Sequence, residues 1–321
     1  MTWSFSNKSD LLWNKLCIEN NVNSYENLNI YANILIKKKW LTKKIVYNQN
    51  NKVISFCQIF IKKKFFTIIH IPGGIEGIVD QKIIRSLTSF LKNEYNFNSL
   101  VLINLHNNNF NIKLNPFIKM LSTYEINLIM VKNIIVNSEL TSSYSKNWRH
   151  NLKRSFKYNF KISKNNNPNI TELISLYNEM EIIKKKKFHF NFIQLTDYFN
   201  ILSNNIIHYE CRFNDRLISF RTIIFFGNNA WDFLACSNLT ARKNYSNYRI
   251  VDQLLKDCIE LNITNYNFGG ADIKNNLGVY NFKKGTGSQE YRKIGEIIWS
   301  PIFVYKYFFV FLVLIKRIFI R

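Results

Sequence analysis

The stretch that decides the fold runs from residue 206 to residue 236. It reads Ile206-Ile-His-Tyr-Glu-Cys-Arg-Phe213, Asn214-Asp215, Arg216-Leu-Ile-Ser-Phe-Arg-Thr-Ile-Ile-Phe-Phe226, Gly227-Asn-Asn229, Ala230-Trp-Asp-Phe-Leu-Ala-Cys236. Three runs rich in β-branched and aromatic residues are separated by Asn, Asp and Gly, the residues that tolerate the backbone of a tight hairpin turn. The reading is three antiparallel strands. Upstream lie a basic helix over 145–157, a strand over 160–163 and a longer helix over 171–187 with Asn167 to Asn169 as its polar lead-in. Downstream, 248–261 reads as a helix and 265–268 as a strand running into Gly269-Gly270.

The first half is built from the same parts. A helix over 11–18 is followed by strands at 44–47, 53–62 and 65–71, with turns at 48–52 and 62–64. His70-Ile-Pro-Gly-Gly74 ends the last of these in a loop, 80–93 is an amphipathic helix and 100–105 a further strand. With 321 residues the chain has the length of two average domains. The expected bounds are 1–135, 136–295 and a C-terminal segment 296–321.

Hydrophobic residues at 47% and aromatics at 16% exclude a wholly disordered chain. Five scattered cysteines, with no C-x-x-C pair, argue against a disulfide framework and a structural zinc site, so no metal is expected. The 44 basic against 21 acidic residues give a formal charge of +23, which fits phosphate-rich partners. Abundant Asn, Ile, Phe and Tyr mark an AT-rich codon bias that inflates Lys, so the placement of charge counts for more than its sum. One placement is informative. Arg149, Lys153, Lys157 and Lys161, joined by Lys146 and Lys164, fall at spacings of three and four that would align them on one helical face, in a segment (140–171) without an acid. A solvated helix gains from mixing signs; this stripe is read either as contact with a phosphate-bearing ligand or as plain surface. A second acid-free stretch, 27–75, carries Lys37 to Lys39, Lys43, Lys44 and Lys62 to Lys64.

Met1 to Asp10 lacks the apolar core of a secretory signal. Near the other end the uninterrupted apolar run from Tyr307 to Ile315 is nine residues long, short of the roughly 20 that span a bilayer. Two readings fit 297–321: a helix lying in a membrane interface with Lys306, Lys316, Arg317 and Arg321 as anchors, or a helix packed on the protein's own core.

The order helix, helix, three antiparallel strands, helix, strand is that of an acyltransferase domain of the GNAT type. Three segments, Ser145-Lys-Asn-Trp-Arg149-His-Asn-Leu-Lys153-Arg-Ser-Phe-Lys157, Asn265-Tyr-Asn-Phe-Gly-Gly270-Ala-Asp272 and Leu277-Gly-Val-Tyr-Asn-Phe282-Lys283-Lys-Gly285-Thr-Gly287, resemble the FemAB/FemX family of peptidoglycan bridge-forming aminoacyltransferases and its BioF2-like acetyltransferase relatives. The resemblance implies an α+β fold of two tandem GNAT-like domains with mixed sheets, here without the family's coiled-coil arm and with a C-terminal basic and apolar helix. It implies an acyltransferase without bound cofactor, taking aminoacyl-tRNA as donor and an amine of a nucleotide- or lipid-linked cell-envelope precursor as acceptor. The place implied is the cytoplasm, with peripheral attachment to an anionic membrane surface under the interfacial reading of the C-terminus.

The family likewise implies roles by position. Lys283 of the Phe282-Lys283 pair faces the reacting ester as an ammonium for the oxyanion. Arg149, Lys153 and Lys39 are candidates for a substrate diphosphate, and Trp231, Tyr280 and Phe282 for cleft walls. Where GNAT enzymes hold the pyrophosphate of acetyl-CoA on a glycine-containing loop, this chain reads Arg242-Lys-Asn-Tyr245-Ser-Asn247. The missing glycine favours tRNA over acetyl-CoA, with Arg242 and Tyr245 as donor contacts, and leaves a CoA-dependent N-acyltransferase acting on an amino sugar as the alternative. A catalytically silent module that binds a lipid-linked glycan is the third reading. The family's general base is a carboxylate on a strand that here contains His106 and asparagines instead. His106 and Asp272 are the candidates, beside a plain turn role for Asp272.

Overall fold

In the computed structural model, residues 2–63, 65–106, 117–119, 128–134, 137–184 and 190–320 are described, the side chains of 118–119, 128–129, 137–139, 184 and 314–320 excepted. The chain begins with β1 (Thr2–Phe5), α1 (Asp10–Glu19), α2 (Asn29–Lys37), β2 (Leu41–Gln49), β3 (Lys52–Lys63), β4 (Thr67–Ile71), the short β5 (Glu76–Gly77), α3 (Gln81–Tyr95), β6 (Ser99–Leu105) and β7 (Ile118–Lys119). It continues with β8 (Leu128–Asn133), α4 (Asn137–Ser143), α5 (Lys146–Ser155), β9 (Lys161–Lys164), α6 (Ile170–Lys184), α7 (Phe192–Leu202), β10 (Ile206–Phe213), β11 (Arg216–Phe226), β12 (Asn229–Ser237), α8 (Leu239–Lys243), α9 (Ser246–Glu260), β13 (Asn265–Gly270), α10 (Leu277–Lys284), β14 (Gln289–Arg292), β15 (Gly295–Trp299) and α11 (Phe303–Ile320).

The deciding hairpins form as read. Asn214 and Asp215 both take positive φ, 51° and 59°, and Gly227 does so at 53°. Left-handed turn residues of this kind match the twist of the strands they join. Helix starts follow from local chemistry as well: Ser145 accepts from the Trp148 N–H and Asp80 from the Ile83 N–H, each satisfying a donor the first turn leaves free.

Two mixed sheets result. The first has the order β1-β2-β3-β4-β6-β15-β7 with β5 on β3, and the second β14-β8-β13-β12-β11-β10-β9. The compact units are Met1–Asn127 with Arg292–Arg321, and Leu128–Tyr291. Two short strands divide otherwise than the expected bounds at 135 and 295. β8 joins β13 of the second sheet, and β15 returns to pair with β6 of the first. A strand of five or six residues holds too little pattern to name its partner.

In the first unit α3 buries Ile83, Ile84, Leu87 and Leu91 against inward residues of β2, β3, β4 and β6. The helix α2, over a stretch read only as acid-free, covers Phe60 with Ala32 and Leu35. Of the two readings of the C-terminus, packing is observed. Phe309, Val310 and Val313 of α11 pack on Leu100, Leu102 and Ile298 of the same unit. Phe303, Val304, Tyr307, Phe308, Phe311 and Leu312 stay exposed. Among the described residues no helix is long and apolar enough to cross a membrane. Lys306 is buried, its ammonium 4.8 Å from the Phe303 ring centroid; the side chains of Lys316 and Arg317 and the whole of Arg321 lie outside the described residues.

Candidate active site

The chemistry of the second unit gathers where β12 and β13 part. These neighbours are parallel and pair at Asn229↔Asn265, Ala230↔Tyr266 and Trp231↔Asn267 only. Beyond that point Phe233 is an additional residue of β12 opposite β11, since Thr222 pairs with Leu234 and Ile223 with Asp232. β13 has its own irregularity between Asn267 and Gly270. Bulges bend a strand and re-aim its side chains, and here two of them end a parallel ladder.

Lys283 fills this place from α10. Its ammonium donates to the carbonyls of Phe268 at 2.5 Å and Gly270 at 2.7 Å, both on β13 beyond the last pair with β12. An ammonium has three N–H groups; the third has no partner among the described residues. The side chain is 9% exposed. Burial pushes its pKa down to about 8, a fall that Asp232 opposes and Arg221 reinforces. Lys283 stands in the last turn of this helix, with two strands following it. The glycines act after the helix. A Cβ at Gly285 would sit 2.9 Å from Trp148 Cδ1, and one at Gly287, which has φ +84°, 2.7 Å from the Ser143 carbonyl oxygen. The buried Lys132 of β8 holds the same turn, donating to the Thr286 carbonyl at 2.6 Å and the Ser143 hydroxyl at 2.8 Å.

Phe282 packs on aromatics from two other helices, 6.0 Å from Trp148 of α5 and 5.0 Å from Tyr248 of α9 between centroids. Trp231 is buried at the last β12–β13 pair. Tyr280, one helical turn before Lys284, donates to Glu290 at 2.5 Å and accepts from Lys284 at 2.9 Å. Arg149 and Lys153 stand on the exposed face of α5, opposite buried Trp148, Leu152 and Ser155, whereas Lys157 lies beyond the end of the helix and Lys161 and Lys164 lie on β9, so the expected stripe is cut short. Arg149 donates to the Ser142 carbonyl at 3.2 Å. In the glycine-free segment Arg242 is exposed on α8, and Tyr245 enters α9 with φ 62°, its ring under the Arg154 guanidinium at 4.4 Å. A non-glycine residue thus takes the left-handed position at this helix start.

The base candidates are placed differently. Asp272 is committed to the turn before α10, its Oδ1 accepting from the Lys274 and Asn275 N–H groups at 3.0 and 2.9 Å. His106 belongs to the first unit, where its Nε2 donates to the Pro72 carbonyl at 3.3 Å. Burial, with Lys293 nearby, pushes its pKa down to about 3, so it is neutral at pH 7 and a weak proton acceptor. Lys39, in the same unit, closes α2 as an exposed residue with φ 60°.

Sequence reading missed a buried charged cluster beside Lys283. Arg221 of β11 pairs with Asp232 of β12 at 2.5 Å, and the Tyr266 hydroxyl of β13 donates to the other Asp232 oxygen. Arg221 and Asp232 are diagonal neighbours on one face because Asp232 stands opposite Ile223. A lone charge inside each of two apolar strands was the available signal. Among the described residues no group of His, Cys, Asp and Glu is arranged to hold a metal.

Residues 214–312 match the model of the FemAB family. No curated protein matches the chain. Among solved structures, the chain is similar to a crystal structure of FemX with a TM-score of 0.75 and 14% identity, over 92% of this chain and 97% of that one. It is similar to a tandem GNAT protein from the clavulanic acid biosynthesis pathway, with a TM-score of 0.57 and 7% identity over 94% and 99% of the two chains. For L-PGS from Bacillus licheniformis the TM-score is 0.52, with 14% identity over 91% and 92%. The family match over 214–312 and the similar structures agree on the fold: this chain has a FemAB-like GNAT fold.

Proposed function

We propose that the protein transfers an aminoacyl group from an aminoacyl-tRNA to an amine of a peptidoglycan precursor. The acceptor amine, having given up its ammonium proton to a base or to water, attacks the ester carbonyl. An amide bond forms, the ester C–O bond breaks and the ribose oxygen leaves as a hydroxyl after taking a proton. Negative charge collects on the carbonyl oxygen on the way. The single observation carrying this reading is Lys283, a buried ammonium with two N–H groups fixed by backbone carbonyls and a third uncommitted. A fixed donor of this kind favours the oxyanion over the neutral ester. The unneutralised basic face of α5 supports a phosphate-bearing partner, and Arg149 and Lys153 are its proposed contacts. The glycine-free segment at Arg242 and Tyr245 supports tRNA over acetyl-CoA as donor.

We also assign the exposed apolar stripe of α11 to an anionic membrane surface, where a lipid-linked precursor would be met; exposed aromatics combine there with the chain's excess positive charge.

The test uses purified full-length protein, charged tRNA and precursor. Lys283→Met should lower the transfer rate about 10²- to 10³-fold with circular dichroism unchanged. Undiminished transfer defeats the assignment, and turnover with acetyl-CoA but not with charged tRNA moves the donor to CoA. Replacing both Phe308 and Phe311 with Ser should abolish sedimentation with vesicles containing phosphatidylglycerol; unchanged sedimentation refutes the membrane assignment.

A further inference from the structure

Lys283 has a positive neighbour, which is buried, and a negative one, which is half-buried. Arg221 is 8% exposed and Asp232 lies on the adjacent strand, its two oxygens taken by Arg221 and Tyr266. We propose that Asp232, clamped between Arg221 and Tyr266, is the positioning residue for Lys283: it keeps the ammonium charged and fixes the strand edge whose carbonyls aim it. The inference rests on reading Lys283 as the group that faces the ester.

Geometry carries the second half. Tyr266 precedes Phe268 by two residues on β13, so the hydroxyl that bonds Asp232 ties β13 to β12 just before the carbonyls that hold Lys283. The guanidinium of Arg221 also lies 6.0 Å from the Phe282 ring centroid, reaching the residue before Lys283. One carboxylate therefore links β11, β12 and β13 at the point where the parallel ladder ends.

Charge carries the first half. The charged groups acting on Lys283 are Arg221 from β11 and Asp232 from β12, the latter also bonded by the Tyr266 phenol from β13. On its own helix, Lys284 and Tyr280 are occupied with Glu290. Lys132 of β8 is occupied with the turn after the helix. Among the described residues Asp232 is thus the one anion that favours the ammonium, against burial and Arg221. Replacing it with Asn leaves two buried cations facing each other. Replacing Arg221 with Gln does the opposite, removing the repulsive cation and keeping the carboxylate. The two sides of a single ion pair should displace Lys283 in opposite directions, which general loosening of the core would not do.

The test is an NMR titration of full-length protein labelled with 13Cε-lysine, the Lys283 signal being assigned by its loss in Lys283→Met. In Asp232→Asn the Lys283 midpoint should fall by about 1 pH unit or more, and in Arg221→Gln it should rise. The alkaline limb of the transfer rate should move with it, and Glu179→Gln, at the exposed pair with Arg216, should move neither. A midpoint unchanged in a folded Asp232→Asn protein overturns the proposal. Should that variant not fold, a midpoint in Arg221→Gln that stays or falls overturns it equally. The transfer reading fails separately, through an active Lys283→Met, whatever the titration shows.

Discussion

The carboxyl group of Glu76 is 2% exposed, and its oxygens accept from the Asn23 N–H and side-chain amide, both at 2.9 Å, and from Asn27 at 3.3 Å. These donors favour the charged form, yet burial outweighs them and pushes the pKa from 4.5 up to about 7. The folded state therefore holds its proton more tightly than the unfolded chain does. The associated stability is complete below about pH 4.5, is lost as pH rises, and is gone above about pH 7. At about 1.4 kcal/mol per pH unit, this displacement is worth about 3 kcal/mol. Glu76→Gln removes the titration. It also sets an amide against the Asn23 amide, a cost on the order of 1–3 kcal/mol that does not vary with pH. The measurement is denaturant unfolding of the first unit at a series of pH values for both proteins. The wild-type free energy minus that of the variant should fall by about 3 kcal/mol between pH 4 and pH 8. A difference that is flat, or rises with pH, would show that the carboxyl group is solvated or paired in a way the hydrogen bonds above do not describe. The loop at stake is His70 to Gly74, since Asn27 also donates to the Gly73 carbonyl at 2.9 Å.

Gly287→Ala places a methyl against the Ser143 carbonyl at a left-handed φ; thermal unfolding should report a loss on the order of 1–3 kcal/mol, and an unchanged midpoint would show that the turn can relax. Trp148→Ala removes the fully buried ring that α5 packs against Tyr144, Tyr248 and Phe282, with an expected cost of about 3–5 kcal/mol and a fall in transfer that Trp148→Phe partly restores. His106→Gln should leave the acid limb of the transfer rate between pH 5 and pH 8 in place, because His106 is already neutral there; a displaced limb would make it a titrating participant.

How much of this was legible depended on the range of the interactions. The hairpins of 206–236 were readable because turn residues act on their nearest neighbours. The basic face of α5 was readable because helical spacing puts its members together wherever the helix docks. Lys283 stood out by resemblance alone: its carbonyl acceptors lie 13 and 15 residues earlier, and nothing in a Lys-rich segment marks one lysine as buried. Asp272 carried a plain turn reading from the start, and its N–H partners within three residues match it. The Arg221–Asp232–Tyr266 cluster needed a bulge in β12 to bring its members to one face, and the additional residue is not written in the alternation.

By itself, then, the sequence determined the strands of 206–236, where their hairpins turn, several helices such as those over 81–95 and 246–260, and where positive charge is left unneutralised, all consequences of contacts a few residues apart. Tertiary structure alone decided that β8 and β15 trade sheets, that β12 and β13 part beyond Trp231 and Asn267, and that one ammonium among many is withdrawn from water beside an ion pair. Those outcomes turn on strand pairing and desolvation between residues distant in the chain, and neither strength is set by the residues on one side alone.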